Sequence, residues 1–318
     1  MTKELDPHMA AAIAKKRELS NDSGAVMTSL AENRGSHGEA AKFWAEGAPE
    51  IKHVENFDVP GPAGPHPARL FRVETETVKP AVIFLHGGGW ARGSIDNTEW
   101  TCRALAAGSG LPILSLSYRL APENPFPAAI DDISAAMDWC AKDSKKYGLD
   151  GQHIILAGAS GGANLALTTA LFRRDTNKSL PIGLCLLYGM FGDKFDTESY
   201  KLYGNGQYAH TTERIQQYHE WYIPKGERSD NPLIIPIHAD MTGMPPAWIA
   251  NAEFDVLRDD SFMIADLFKA ANVPVTLKYY ETLSHSFASL ARMIPLAQES
   301  LSDAAQFLRT CANKRGGS

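Results

Sequence analysis

Residues 158–162 read Gly-Ala-Ser-Gly-Gly, between the apolar run His153-Ile154-Ile155-Leu156-Ala157 and the alanine-rich Ala163-Asn164-Leu165-Ala166-Leu167. A serine flanked in this way predicts a strand, a sharp turn and a helix, a geometry that lifts the hydroxyl clear of the backbone. Gly158 and Gly162 fit the need for strand and helix to approach with no side chain between them. This turn suits a mostly parallel sheet flanked by helices, and it makes Ser160 the candidate nucleophile.

A serine hydroxyl attacks only when a base takes its proton, an acid orients the base, and donors hold the developing oxyanion. Upstream, Ala81-Val82-Ile83-Phe84-Leu85 reads as a buried strand that runs into His86-Gly87-Gly88-Gly89-Trp90. The bare backbone of that loop can turn N–H groups toward a carbonyl oxygen, so the candidate donors are Gly87, Gly88 and Gly161. His86 itself reads as structural, closing the strand and bonding the loop. Downstream, the apolar run Trp248–Ala252 leads into Glu253-Phe254-Asp255-Val256-Leu257-Arg258-Asp259-Asp260. Asp255 follows the strand directly and is the candidate orienting acid, whereas Asp259 is placed to cap or begin the helix Ser261–Phe268. Val275–Tyr280 alternates like a strand, and the loop beyond it holds His285, the candidate base. The order Ser160, Asp255, His285 puts nucleophile, acid and base on successive loops at one edge of a parallel sheet, and excludes the orders of chymotrypsin-like and subtilisin-like enzymes.

The rest of the chain organises around these motifs. Residues 8–19 and 24–33 have helical composition, and 51–59 and 68–73 predict an antiparallel hairpin across a 61–67 loop. Strands are expected near 81 and over 112–118, 153–157 and 181–188, alternating with helices near 97 and over 128–147 and 162–174. Residues 190–228 interrupt that alternation with aromatic stretches holding Tyr200, Tyr203, Tyr208, Tyr218, Trp221 and Tyr222. The expected division is an amino-terminal helical arm over 1–48, an α/β core over 49–189 and 229–318, and a cap over 190–228. Trp90, Met190, Phe191 and Phe287 flank the proposed catalytic loops and are candidate walls of an apolar pocket, with core packing as the competing role. Arg119 and Glu123 read as charges that pin the proline-rich loop beneath the catalytic edge.

Taken with Tyr118-Arg119-Leu120-Ala121-Pro122-Glu123 and His285-Ser286-Phe287, these motifs span residues 80–290 in an order that resembles the hormone-sensitive-lipase-like esterases, bacterial family IV. The resemblance implies an α/β-hydrolase fold with a helical cap and a serine carboxylesterase acting on short- to medium-chain acyl esters through an acyl-enzyme. It also implies no cofactor, a small-molecule ester as partner, and the option of a homodimer through an edge strand. Ala159, Gly161, Ala163 and Ser286 stand where the family often has Asp, Ala, Gly and Gly, departures that bear on subgroup and substrate rather than on chemistry. The alternatives are a non-catalytic ligand-binding homologue, against which His285 argues, and an amidase or peptidase.

At 318 residues and 44% hydrophobic, the chain can bury one large core with a smaller cap. A net charge of −6 supplies no attraction to nucleic acid or acidic membranes. No His-x-x-x-His or Cys-x-x-Cys spacing predicts a metal site, and the glycine loops lack the patterns of phosphate and dinucleotide cradles. Lys3, Glu4 and Asp6 near the amino terminus argue against a secretory signal, and Cys102, Cys140, Cys185 and Cys311 stand singly, so the expectation is reduced thiols in the cytoplasm.

Overall fold

The computed structural model describes residues 3–20, 23–228 and 230–314. The outermost residues of the expected arm and core (1, 2 and 315–318), the arm's 21 and 22, and the boundary residue 229 lie outside the described residues.

Two helices come first, α1 (Pro7–Ser20) and α2 (Leu30–Ala45). The second starts later than its composition suggests, because the Ser29 side chain accepts the N–H of Glu32 and caps it there. Residues 24–29 are irregular instead, and two of them bond the insertion, Gly24 accepting the Thr211 N–H and Met27 exchanging two bonds with the Gln217 amide. The hairpin β1 (His53–Gly61) and β2 (Gly64–Arg72) also runs further than expected, turning tightly between Gly61 and Gly64. Pro65 and Pro67 lie beyond the Ala68–Phe71 stretch that pairs with the next strand, where a missing donor is tolerated.

The α/β alternation follows: β3 (Lys79–Leu85), α3 (Glu99–Ser109), β4 (Ile113–Leu116), α4 (Ala128–Asp143), β5 (Leu149–Ala159), α5 (Gly161–Asp175) and β6 (Gly183–Leu187). The insertion carries α6 (Glu198–Tyr203) and α7 (Thr212–Tyr222), and β7 (Ala247–Phe254), α8 (Arg258–Ala270), β8 (Val275–Ser284) and α9 (Pro295–Asn313) complete the chain. Among the described residues, eight strands form one sheet in the order β1-β2-β4-β3-β5-β6-β7-β8. β2 is antiparallel to its neighbours β1 and β4, and every neighbouring pair from β4 to β8 is parallel.

The inner strands are buried on both faces, which explains their unbroken apolar runs. Val82, Phe84, Ile155 and Ala157 face α3 and α9, whereas Ile83, Leu85, Ile154 and Leu156 face α4 and α5. Parallel pairing puts the carboxyl ends of these strands at one edge. Leu85 lies opposite Gly158, and Phe254 opposite Ser284, so the chain leaves β7 and β8 side by side at Asp255 and His285. Among the described residues no helix is long and apolar enough to cross a membrane.

Candidate active site

Ser160 sits between β5 and α5 with φ 54° and ψ −120°, a conformation that costs a non-glycine residue roughly 1–3 kcal/mol and persists only where its surroundings enforce it. Those surroundings are tight. A Cβ on Gly158 would lie 2.3 Å from the Gly162 oxygen, and one on Gly162 would lie 2.2 Å from the Leu85 oxygen. The Ser160 N–H donates to the Leu187 carbonyl at 2.9 Å, tying the turn to β6.

From this turn a continuous chain of contacts runs inward. His285 Nε2 is 3.0 Å from Ser160 Oγ, and His285 Nδ1 is 2.7 Å from Asp255 Oδ2. Asp255 Oδ1 accepts the Leu257 N–H at 2.9 Å, which fixes the carboxylate plane. All three side chains are buried, and the rings of Tyr188 and His210 meet His285 edge-on at centroid distances of 5.0 and 5.1 Å.

The other acids of the 253–260 stretch have separate partners. Glu253 bonds Arg258 Nη1, the Tyr203 hydroxyl and Lys3 Nζ, joining α8, the insertion and the amino-terminal segment. Asp259 stands in the first turn of α8, as expected, and its carboxylate accepts the Ser199 N–H at 2.9 Å and so secures α6. Asp260 accepts the N–H groups of Phe191 and Gly192, and burial pushes its carboxyl up to about 7.

The glycine loop packs against the serine turn. A Cβ on Gly87 would lie 3.0 Å from the Ala159 oxygen, and one on Gly161 would lie 3.0 Å from the Trp90 nitrogen. The N–H groups of Gly87 and Gly88 make no turn or loop hydrogen bond among the described residues. Gly161 opens α5, where the first N–H groups have no acceptor within the helix. His86 stacks on Tyr118 at 4.3 Å and holds the Gly87 carbonyl through Nδ1 at 2.9 Å, and burial lowers its pKa to about 4. It braces the loop as a neutral ring. The loop after β4 is pinned by Arg119 on Asp132 of α4 and by Glu123 on Arg34 of α2.

Ser160 and His285 open into a cavity of about 80 Å³. Its walls correct the expectation from sequence: none of Trp90, Met190, Phe191 and Phe287 lines it, and all four are buried in the core. Trp90 stacks on Tyr222 at 4.4 Å and donates to Asn164, while Phe287 packs against Tyr188. Large rings beside the catalytic loops fill the space beneath them. Two insertion aromatics do likewise, Tyr222 against Trp90 and Tyr218, whose ring occupies the space a Gly89 side chain would need. The cavity is closed instead by the arm, through Lys16 and Ser20 of α1 and Ala40, Ala41 and Trp44 of α2, together with Thr101, Tyr188, Ser289 and His210. Among the described residues no group of three His, Cys, Asp or Glu side chains could hold a metal ion, and all four cysteines are free and buried.

The sequence profile of the alpha/beta hydrolase fold family matches residues 82–289, a stretch holding the glycine loop, the serine turn, Asp255 and His285. The chain is an α/β-hydrolase. Within that superfamily it belongs to the hormone-sensitive-lipase-like esterases. This α/β-hydrolase is similar to a hyperthermophilic esterase from the archaeon Pyrobaculum calidifontis, with a TM-score of 0.89 and 30% identity over 97% of this chain and 99% of that one. An ester hydrolase from the metagenome of Lake Arreo gives 0.88 and 27% over 98% and 99%. A thermostable carboxylesterase cloned from a metagenomic library gives 0.85 and 29% over 90% and 98%.

Proposed function

We propose that the protein is a serine carboxylesterase that hydrolyses short-chain acyl esters through Ser160, His285 and Asp255. The observation that carries this reading is the line of contacts from Ser160 Oγ through His285 to Asp255, at 3.0 and 2.7 Å, opening into a small cavity. Ser160 Oγ attacks the ester carbonyl as its proton passes to His285 Nε2. Asp255 accepts from Nδ1–H and favours the imidazolium that results. The carbonyl oxygen, now an oxyanion, takes hydrogen bonds from the N–H groups of Gly87, Gly88 and Gly161. His285 then returns the proton to the leaving alcohol, and water repeats the cycle on the acyl-enzyme.

Two features support short acyl chains. The cavity is only about 80 Å³, and Lys16, Ser20, Ala40, Ala41 and Trp44 of the two arm helices supply part of its wall. The test is hydrolysis of p-nitrophenyl esters from acetate to palmitate by the natural protein and by Ser160→Ala. Turnover concentrated on the short esters and reduced by several orders of magnitude in the variant is the expected result. Equal turnover by the variant would remove Ser160 from the mechanism.

A further inference from the structure

One wall of the cavity is a side chain for which the steps above have no use. His210 lies in the stretch between α6 and α7, buried, with its ring 5.1 Å from that of His285 and edge-on to Tyr218 at 6.0 Å. It lines the main cavity and also a smaller neighbouring one, which it shares with His285, Ile13, Arg17 and Tyr208. Its Nδ1 has no hydrogen-bond partner among the described residues. Burial first, and then the neighbouring His285, hold its pKa well below the usual histidine range, so the ring is neutral and offers one donor and one acceptor. Nδ1 is sealed inside the fold, so a ligand meets the ring through Nε2, which has accessible surface and makes no hydrogen bond among the described residues. A ligand with a matching group can pair with it, and one lacking that group cannot.

The placement indicates which half of an ester would do so. The leaving oxygen must lie against His285 Nε2 to receive its proton, while the oxyanion faces the glycine loop on the other side. Atoms three or four bonds beyond the leaving oxygen then come within reach of the rings beside His285, Tyr188 and His210; the Tyr188 hydroxyl is engaged by the backbone at Ala288 and Ser289, which leaves His210. Ser20, Ser286 and Ser289 line the same cavity, so a polar alcohol would not be stranded among apolar walls.

We propose that His210 is a specificity-determining residue that hydrogen-bonds the alcohol half of the substrate, and that the preferred substrates are esters of hydroxylated alcohols with a hydroxyl three or four bonds from the ester oxygen. The proposal rests on the esterase reading above. Its test is a matched pair, 2-hydroxyethyl acetate and n-propyl acetate, which differ by a hydroxyl in place of a methyl. kcat/KM is measured for both with the natural protein, His210→Phe and His210→Asn, and p-nitrophenyl acetate serves as a reference. His210→Phe is expected to lower kcat/KM on the hydroxyethyl ester at least about tenfold more than on the propyl ester. His210→Asn, which keeps a hydrogen-bonding group, should lose less of that difference.

A fall by the same factor on both esters would make His210 a packing residue and overturn the proposal. If circular dichroism shows His210→Phe unfolded, His210→Ala makes the same comparison. No turnover of any ester by the natural protein would sink the esterase reading as well. Turnover of p-nitrophenyl acetate with an unchanged ratio in the variant sinks this proposal alone.

Discussion

The carbonyl of Gly24 accepts the backbone N–H of Thr211 at 3.0 Å, joining the arm to the loop that carries His210 to the cavity. Arg17 strengthens the seam by donating to the carbonyls of Gly206 and Gln207. Gly24 has φ +80°, and a Cβ there would lie 1.8 Å from the Ala209 oxygen. Gly24→Ala is therefore expected to push the loop away, lowering stability by roughly 1–3 kcal/mol and reducing kcat/KM. Thermal unfolding and ester hydrolysis measured together check this, and wild-type values of both would show that the seam is dispensable.

Asp255 and Asp259 separate by partner, one on His285 and the other on the Ser199 N–H. Asp255→Asn should lower kcat by about 10⁴ with the fold intact, by analogy with the orienting acid of other triads. Asp259→Asn should keep most of the turnover and lose some stability. The opposite pattern would transfer the orienting role to Asp259.

Asp260 makes a prediction about pH. Its carboxyl is raised by burial from the ordinary 3.8 to about 7 in the folded protein, so between those values the folded state holds a proton that the unfolded state has released. Stability tied to this group is present at low pH and lost as pH rises toward 7. Asp260→Asn mimics the protonated form. The Tm of the variant should therefore gain on that of the natural protein from about pH 4 to pH 7 and hold a constant lead above it. A difference that stays flat across the range would refute the buried-carboxyl account.

Trp44 of α2 bounds the cavity together with Ala40 and Ala41. Trp44→Ala should enlarge it and move the optimum of a p-nitrophenyl ester series toward longer acyl chains, at a stability cost of about 3–5 kcal/mol. An unchanged chain-length profile in a folded variant would place the acyl group elsewhere.

The sheet was legible because strands buried on both faces need unbroken apolar runs, and because Gly158 is demanded by the turn it opens and Gly162 by the end of the neighbouring strand at Leu85 and His86. The arm was harder to read. Composition placed a helix over 24–33, although Ser29 followed by Glu32 carries the signal for the observed start. Of the pocket, the sequence marked the catalytic side, Gly87, Gly88, Ser160 and His285, but not the side chains opposite. Trp90, Met190, Phe191 and Phe287 were suggested by their nearness in sequence to the catalytic loops, while Lys16, Trp44 and His210 reach the cavity by packing between segments far apart in the chain. No periodicity or spacing records such an encounter.

The docked arm divides the labour of the chain along its length. The groups proposed for bond making stand at the ends of strands, held by close backbone contacts, whereas one part of the cavity wall is supplied by residues before 45. Selectivity can thus drift while the reaction is preserved. Exchanging the segment ahead of β1 between relatives would be a way to pass on a new substrate preference without touching the machinery that acts on it.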